Sequence, residues 1–84
     1  MATRSPRKEQ ESTAREPNRI RQLRDEHELR PAFVAATVGV DQTTLQRWER
    51  GKTEPSTEHM RRLAALFDVG VPYLMGWADR RRAA

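Results

Sequence analysis

The 84-residue sequence contains no cysteine, so neither a disulfide nor a cysteine-based zinc site can hold the fold, and the chain suits a reducing cytoplasm. It has no apolar run near membrane-spanning length, and its basic start is not followed by the apolar stretch of a secretion signal. A soluble cytoplasmic protein with no membrane partner is expected. Only two histidines are present, His27 and His59, with no acidic pair or thiol at ligand spacing from either, so no metal site is expected. No nucleophile has a recognisable base and no glycine loop is built to cradle phosphate; neither catalysis nor a cofactor is expected. With 36% hydrophobic residues at this length, one modest core can form and a second cannot.

What is present is concentrated in one stretch, Phe33 to Gly51, reading FVAATVGVDQTTLQRWERG. Val34, Ala35 and Val38 recur at helical spacing and stop at Gly39, which can adopt a positive φ and so turn the chain sharply. Val40 supplies an apolar contact in the turn. Asp41 carries a short side-chain oxygen suited to accept from the free amides of a new helix, which therefore begins at about Gln42.

On that second helix Leu45 and Trp48 fall on one side, while Gln42, Thr43, Gln46, Arg47 and Arg50 spread over the other. A polar outer face is ordinarily just a solvated one. Here, however, it follows a glycine turn at two-helix spacing, and its residue types are those that read base edges. The major groove of B-DNA admits an α-helix, amide side chains bond bidentately to adenine, and arginine does the same to guanine. The pattern is that of a helix-turn-helix.

The remaining stripes predict the core. A first helix contributes Ile20, Leu23 and either His27 or Leu29; a fourth contributes Met60, Leu63, Ala64 and Phe67, with Ser56 as its N-cap and Gly70 as its stop. Pro72 can open a last short helix carrying Tyr73 and Leu74 before Gly76 ends it.

The formal net charge of +4 is unevenly spread. Residues 1–17 hold four basic and three acidic groups and residues 78–84 three and one, leaving nine and eight in residues 18–77. Affinity for a polyanion would thus depend on where Arg30, Arg47, Arg50 and Lys52 stand, since the folded part is close to neutral. Residues 1–17 have too little apolar material to order themselves. That tail is read either as a solubilising segment or as a basic arm for the minor groove, with Arg4, Arg7 and Lys8 as its contacts. The basic end at Arg80, Arg81 and Arg82 allows the same two readings.

In these blocks the chain resembles the Xre or phage-repressor (Cro-like) helix-turn-helix proteins over nearly everything from Asn18 to Trp77. The resemblance is carried by NRIRQLRDEHEL, the two helices about the Gly39-Val40 turn, RWERGKTEPS, RRLAALFDV and the closing VPYLMGW, in that order. It departs from the family at Arg30-Pro31, where Ser-Gln is common and the glutamine grips a phosphate, and at Asp41, where a neutral Ser or Thr is common. Arg30 and the amides of Ala32 and Phe33 offer a different phosphate contact. The resemblance implies an all-α, five-helix domain over 18–77 between a disordered tail at 1–17 and a basic one at 78–84. It also implies an ion pair between Arg24 and Glu49, either structural or merely a solvated contact.

The resulting expectation is a small transcriptional regulator, a repressor, that binds double-stranded operator DNA through its third helix. Gln42, Thr43, Gln46 and Arg47 are the expected base readers; Arg30, Thr44, Arg50 and Lys52 are the expected backbone contacts. Pairing of two copies on a palindromic operator would draw on Tyr73, Leu74 and Trp77, unless these close the core instead. The alternative is a protein-interaction module, such as an antitoxin or a polymerase-associated partner, which would present apolar anchors where this third helix has none.

Overall fold

The computed structural model describes residues 16–81. Its elements are α1 (Ile20–Glu26), α2 (Pro31–Val38), α3 (Gln42–Glu49), α4 (Thr57–Phe67) and α5 (Val71–Leu74), with no strand among the described residues. The fold is all-α. None of these helices is long and apolar enough to cross a membrane. Arg4, Arg7, Lys8 and Arg82 lie outside the described residues.

The starts of α2, α3 and α4 have local causes. Pro31 occupies the first turn of α2, where its missing N–H costs nothing and its fixed φ suits the helix. The Asp41 carboxylate accepts from the Thr44 amide at 2.9 Å, and the Ser56 hydroxyl accepts from the His59 amide at 3.2 Å, capping α3 and α4.

The ends are more uniform than the sequence suggested. All five helices among the described residues close on the same pair of backbone bonds around one left-handed residue: Glu28 (φ 56°), Gly39 (89°), Gly51 (77°), Asp68 (60°) and Gly76 (79°). In each, the amide after that residue reaches back five positions, as in Leu29 to Arg24 (3.0 Å), Val40 to Ala35 (2.9 Å) and Lys52 to Arg47 (2.9 Å). Val69 to Ala64 (3.0 Å) and Trp77 to Pro72 (2.8 Å) complete the set. Gly70, expected to stop α4, instead takes an extended conformation and precedes α5, because Asp68 has already made the turn. Likewise α1 is shorter than its NRIRQLRDEHEL pattern, since Glu28 reverses the chain.

That reversal decides the choice between His27 and Leu29. Leu29 packs half-buried against the core, whereas His27 is exposed and only lays its ring 5.6 Å from that of Phe67. The centre of the core is Ile20, Leu23, Val34, Val38, Leu45, Leu63 and Leu74, none with any exposed surface. Burying such side chains stabilises by about 1.5–3 kcal/mol each against their ordering entropy. α3 rests on α1 and α2, α4 backs both of those, and α5 closes against α4.

Of the two readings of Tyr73 and Leu74, outward contact or closure of the core, the second holds: they are 7% and 0% exposed. The short α5 turns both beneath α1, where the Leu74 carbonyl accepts from the Arg19 amide at 2.8 Å. Trp77 alone of that set faces outward, 62% exposed.

Candidate functional site

α3 is amphipathic over two turns, and the fold uses both sides. Leu45 and Trp48 are buried, the Trp48 ring lying 5.1 Å from that of His59, while Gln42, Thr43 and Arg47 are exposed and Gln46 is half-buried. Arg30 at the start of α2, Arg50 at the end of α3 and Lys52 just beyond it are also exposed; Thr44 is half-buried, its amide taken by Asp41. Hydrogen bonds from the Thr44 side chain and amide, with help from the Arg47 charge, hold the Asp41 carboxyl below its ordinary value. The cap is therefore anionic at neutral pH.

Four ties from outside the two-helix unit hold it in place, three of them at the end of α3. Arg24 on α1 grips Glu49 with Nε–Oε2 at 2.9 Å and Nη2–Oε1 at 3.3 Å, in a pair whose side chains are 13% and 8% exposed. A fork-to-fork pair of this kind sets an angle as well as a distance. Asn18, 6% exposed, donates from Nδ2 to the Trp48 carbonyl at 2.8 Å and accepts the Ile20 amide on Oδ1 at 3.1 Å. It thereby serves the last turn of α3 and the first turn of α1 with one side chain.

Pro17 supplies the third tie by packing directly on Gly51, where an added Cβ would come within 2.8 Å of the proline ring. The fourth is Arg62 of α4, which donates from Nη1 to the Val38 carbonyl at 3.3 Å beside the Gly39 turn. Pro17 thus stands with the folded unit, one residue earlier than the expected boundary.

The C-terminal segment is also held down. The Arg81 guanidinium spans both Glu26 oxygens at 3.0 Å each, and its carbonyl accepts from the Gly70 amide. The Glu26 carboxyl is lowered chiefly by this bond, and Arg81 is raised by the same partner. Arg19 lies 4.1 Å over the Tyr73 ring and donates to the Tyr73 and Ala78 carbonyls at 2.6 and 3.0 Å. Within residues 78–81, Arg81 thus carries its charge in a definite geometry against Glu26.

Asn18, Arg19 and Arg62 went unnoticed in the sequence, and Arg81 was read only as part of a basic end. Asn18 did carry a signal, a short amide just before an apolar-periodic run, but that marks only its bond to Ile20. Its reach to Trp48 is a product of the packing.

Residues 20–74 match the family described as Helix-turn-helix. The chain belongs to this Cro-like helix-turn-helix family. The domain is 33% identical over 61 residues to an uncharacterized HTH-type transcriptional regulator, YobD, of Bacillus subtilis strain 168. That alignment covers 73% of this chain and 54% of the relative, so the helix-turn-helix chain spans about half the relative's length. No solved structure matches the chain.

Proposed function

We propose that this helix-turn-helix domain is a sequence-specific binder of double-stranded DNA that regulates transcription as a repressor, with α3 read into the major groove. The carrying observation is the division of α3 itself. Its apolar side is anchored by Leu45 and Trp48, and the opposite side offers exposed Gln42, Thr43 and Arg47 with the half-buried Gln46 beside them. Gln42 and Gln46 suit adenine edges, Arg47 a guanine edge, and Thr43 a thymine methyl or a polar base edge. Arg30, Thr44, Arg50 and Lys52 contact the phosphate backbone and set the register.

Further support comes from the match to the helix-turn-helix family and from a relative named as a transcriptional regulator. Repression is the simpler outcome because occupancy of a promoter suffices for it. Two copies on a palindromic site would stand about 34 Å apart, with Trp77 at their contact, since one short domain reads too few bases for tight specific binding.

A second reading, a protein-interaction module, draws on the exposure of Phe33 (53%) and Trp77 (62%), two large apolar side chains left on the surface. Enrichment of sites by the purified chain from a random duplex pool separates the two. A recovered half-site, together with a steep fall of affinity with salt, supports DNA reading; no enrichment and no salt dependence would leave the partner module.

A further inference from the structure

The basic side chains of the domain divide by whether they are neutralised within it. Arg19 meets Asp79 at 3.8 Å, Arg24 meets Glu49 at 2.9 Å, Arg62 meets Glu58 at 3.1 Å and Arg81 meets Glu26 at 3.0 Å. Arg30, Arg47, Arg50 and Lys52 form no ion pair among the described residues. Arg21, on α1 and outside the helix-turn-helix, belongs with this second group and is exposed.

Its position follows from the tie between α1 and α3. Arg21 is three residues before Arg24, and Gln46 is three residues before Glu49, so each neighbours its partner on the same helix face. Because Arg24 and Glu49 are locked together, the faces that carry Arg21 and Gln46 are brought to one open groove of about 460 Å³. Arg50 borders it as well, beside Glu16 and Pro17. Glu49 is neutralised there by Arg24, so the rim charges without an ion pair among the described residues are Arg21 and Arg50, facing Glu16.

We propose that Arg21 is a further DNA contact, a guanidinium from α1 that clamps a backbone phosphate beside the recognition helix. The assignment rests on the reading of α3 as the DNA-facing helix. An unpaired, exposed guanidinium forms charge-assisted, bidentate bonds to phosphate without first breaking an internal pair. Glu16 opposes the same phosphate, and its removal should tighten the contact. The clamp widens the interface from the two-helix unit to α1 and carries no sequence preference.

The test is a salt titration of a labelled random-sequence duplex against the full chain, with Arg21→Gln, Glu16→Gln and Arg61→Gln as variants. Arg61 is an exposed arginine on α4 that forms no ion pair among the described residues and does not line the groove, so it controls for the loss of one charge. Loss of one phosphate contact flattens the slope of log affinity against log salt by about 0.9. Arg21→Gln should show that flattening and bind about 5- to 10-fold more weakly at low salt, with an unchanged melting temperature. Glu16→Gln should bind more tightly, and Arg61→Gln should keep the wild-type slope.

An Arg21→Gln chain that melts normally and keeps the full slope would overturn the assignment. So would an equal flattening in Arg61→Gln, which would make the effect one of net charge. A wild-type chain with no salt dependence would overturn the DNA reading itself and the clamp with it.

Discussion

The side-chain amide of Asn18 donates to the carbonyl of Trp48 at 2.8 Å across 30 positions of sequence, so the root of α1 holds the last turn of α3. Both partners are buried, and loss of a buried hydrogen bond costs the desolvation of whatever is left unpaired, about 1–3 kcal/mol. In a domain of this size each kcal/mol lowers the melting temperature by about 4–8 °C. Asn18→Ala should therefore melt lower by at least several degrees. Asn18→Asp keeps the acceptor for Ile20 but turns a carboxylate toward the Trp48 carbonyl, and should be no more stable than the alanine variant. A wild-type melt for Asn18→Asp would show that the Trp48 bond contributes nothing.

Base readers and backbone contacts should separate on mutation. Arg47→Ala should cost about 1–3 kcal/mol on the selected site and relax preference at one base position. Lys52→Ala should weaken all duplexes alike and flatten the salt slope by about one. Competition binding with single-base variants of the selected site distinguishes these outcomes; equal, sequence-independent losses from both variants would contradict the division.

Glu28 holds a left-handed conformation (φ 56°) that costs a side-chain-bearing residue about 1–2 kcal/mol. Glycine accepts it freely, at the expense of about 0.4–1 kcal/mol in unfolded-chain entropy. Glu28→Gly is thus expected to raise stability by about 0.5–1 kcal/mol, read as the midpoint of urea unfolding at unchanged slope. A lower midpoint would mean that the Glu28 side chain stabilises more than its backbone conformation costs.

The bond from Arg81 lowers the Glu26 carboxyl in the folded chain. A depressed folded value means that the stabilisation is fully present above the unfolded glutamate value of about 4.3 and is lost as pH falls through the folded one. The melting-temperature gap between wild type and Arg81→Gln should be constant from about pH 5.5 upward and close below about pH 4. The gap should be small, because both groups are substantially exposed, and smaller still in high salt. A gap that widened toward acid would contradict the sign.

Much of this architecture was legible from local rules. The Gly39 turn, the Asp41 and Ser56 caps and the inward Leu45 and Trp48 follow from short-range sequence, because caps and helical periodicity act within one or two turns. Glu28 and Asp68 were not legible as turn residues, since only glycine announces a left-handed position by its identity. Tyr73 and Leu74 were ambiguous because a four-residue helix has too few positions to define a face. Asn18, Arg62 and Arg81 act across 30, 24 and 55 positions, and nothing in a single sequence reports which distant carbonyl or carboxylate an exposed-type side chain will meet.

The packing of Pro17 on Gly51 fixes where the polypeptide leaves the domain at its front end, alongside Arg50 and Gln46. Any tag, fluorescent protein or fused module joined directly to Glu16 would emerge at the rim of the surface proposed to lie on the duplex. A fusion made directly at that point would therefore crowd the duplex-facing rim.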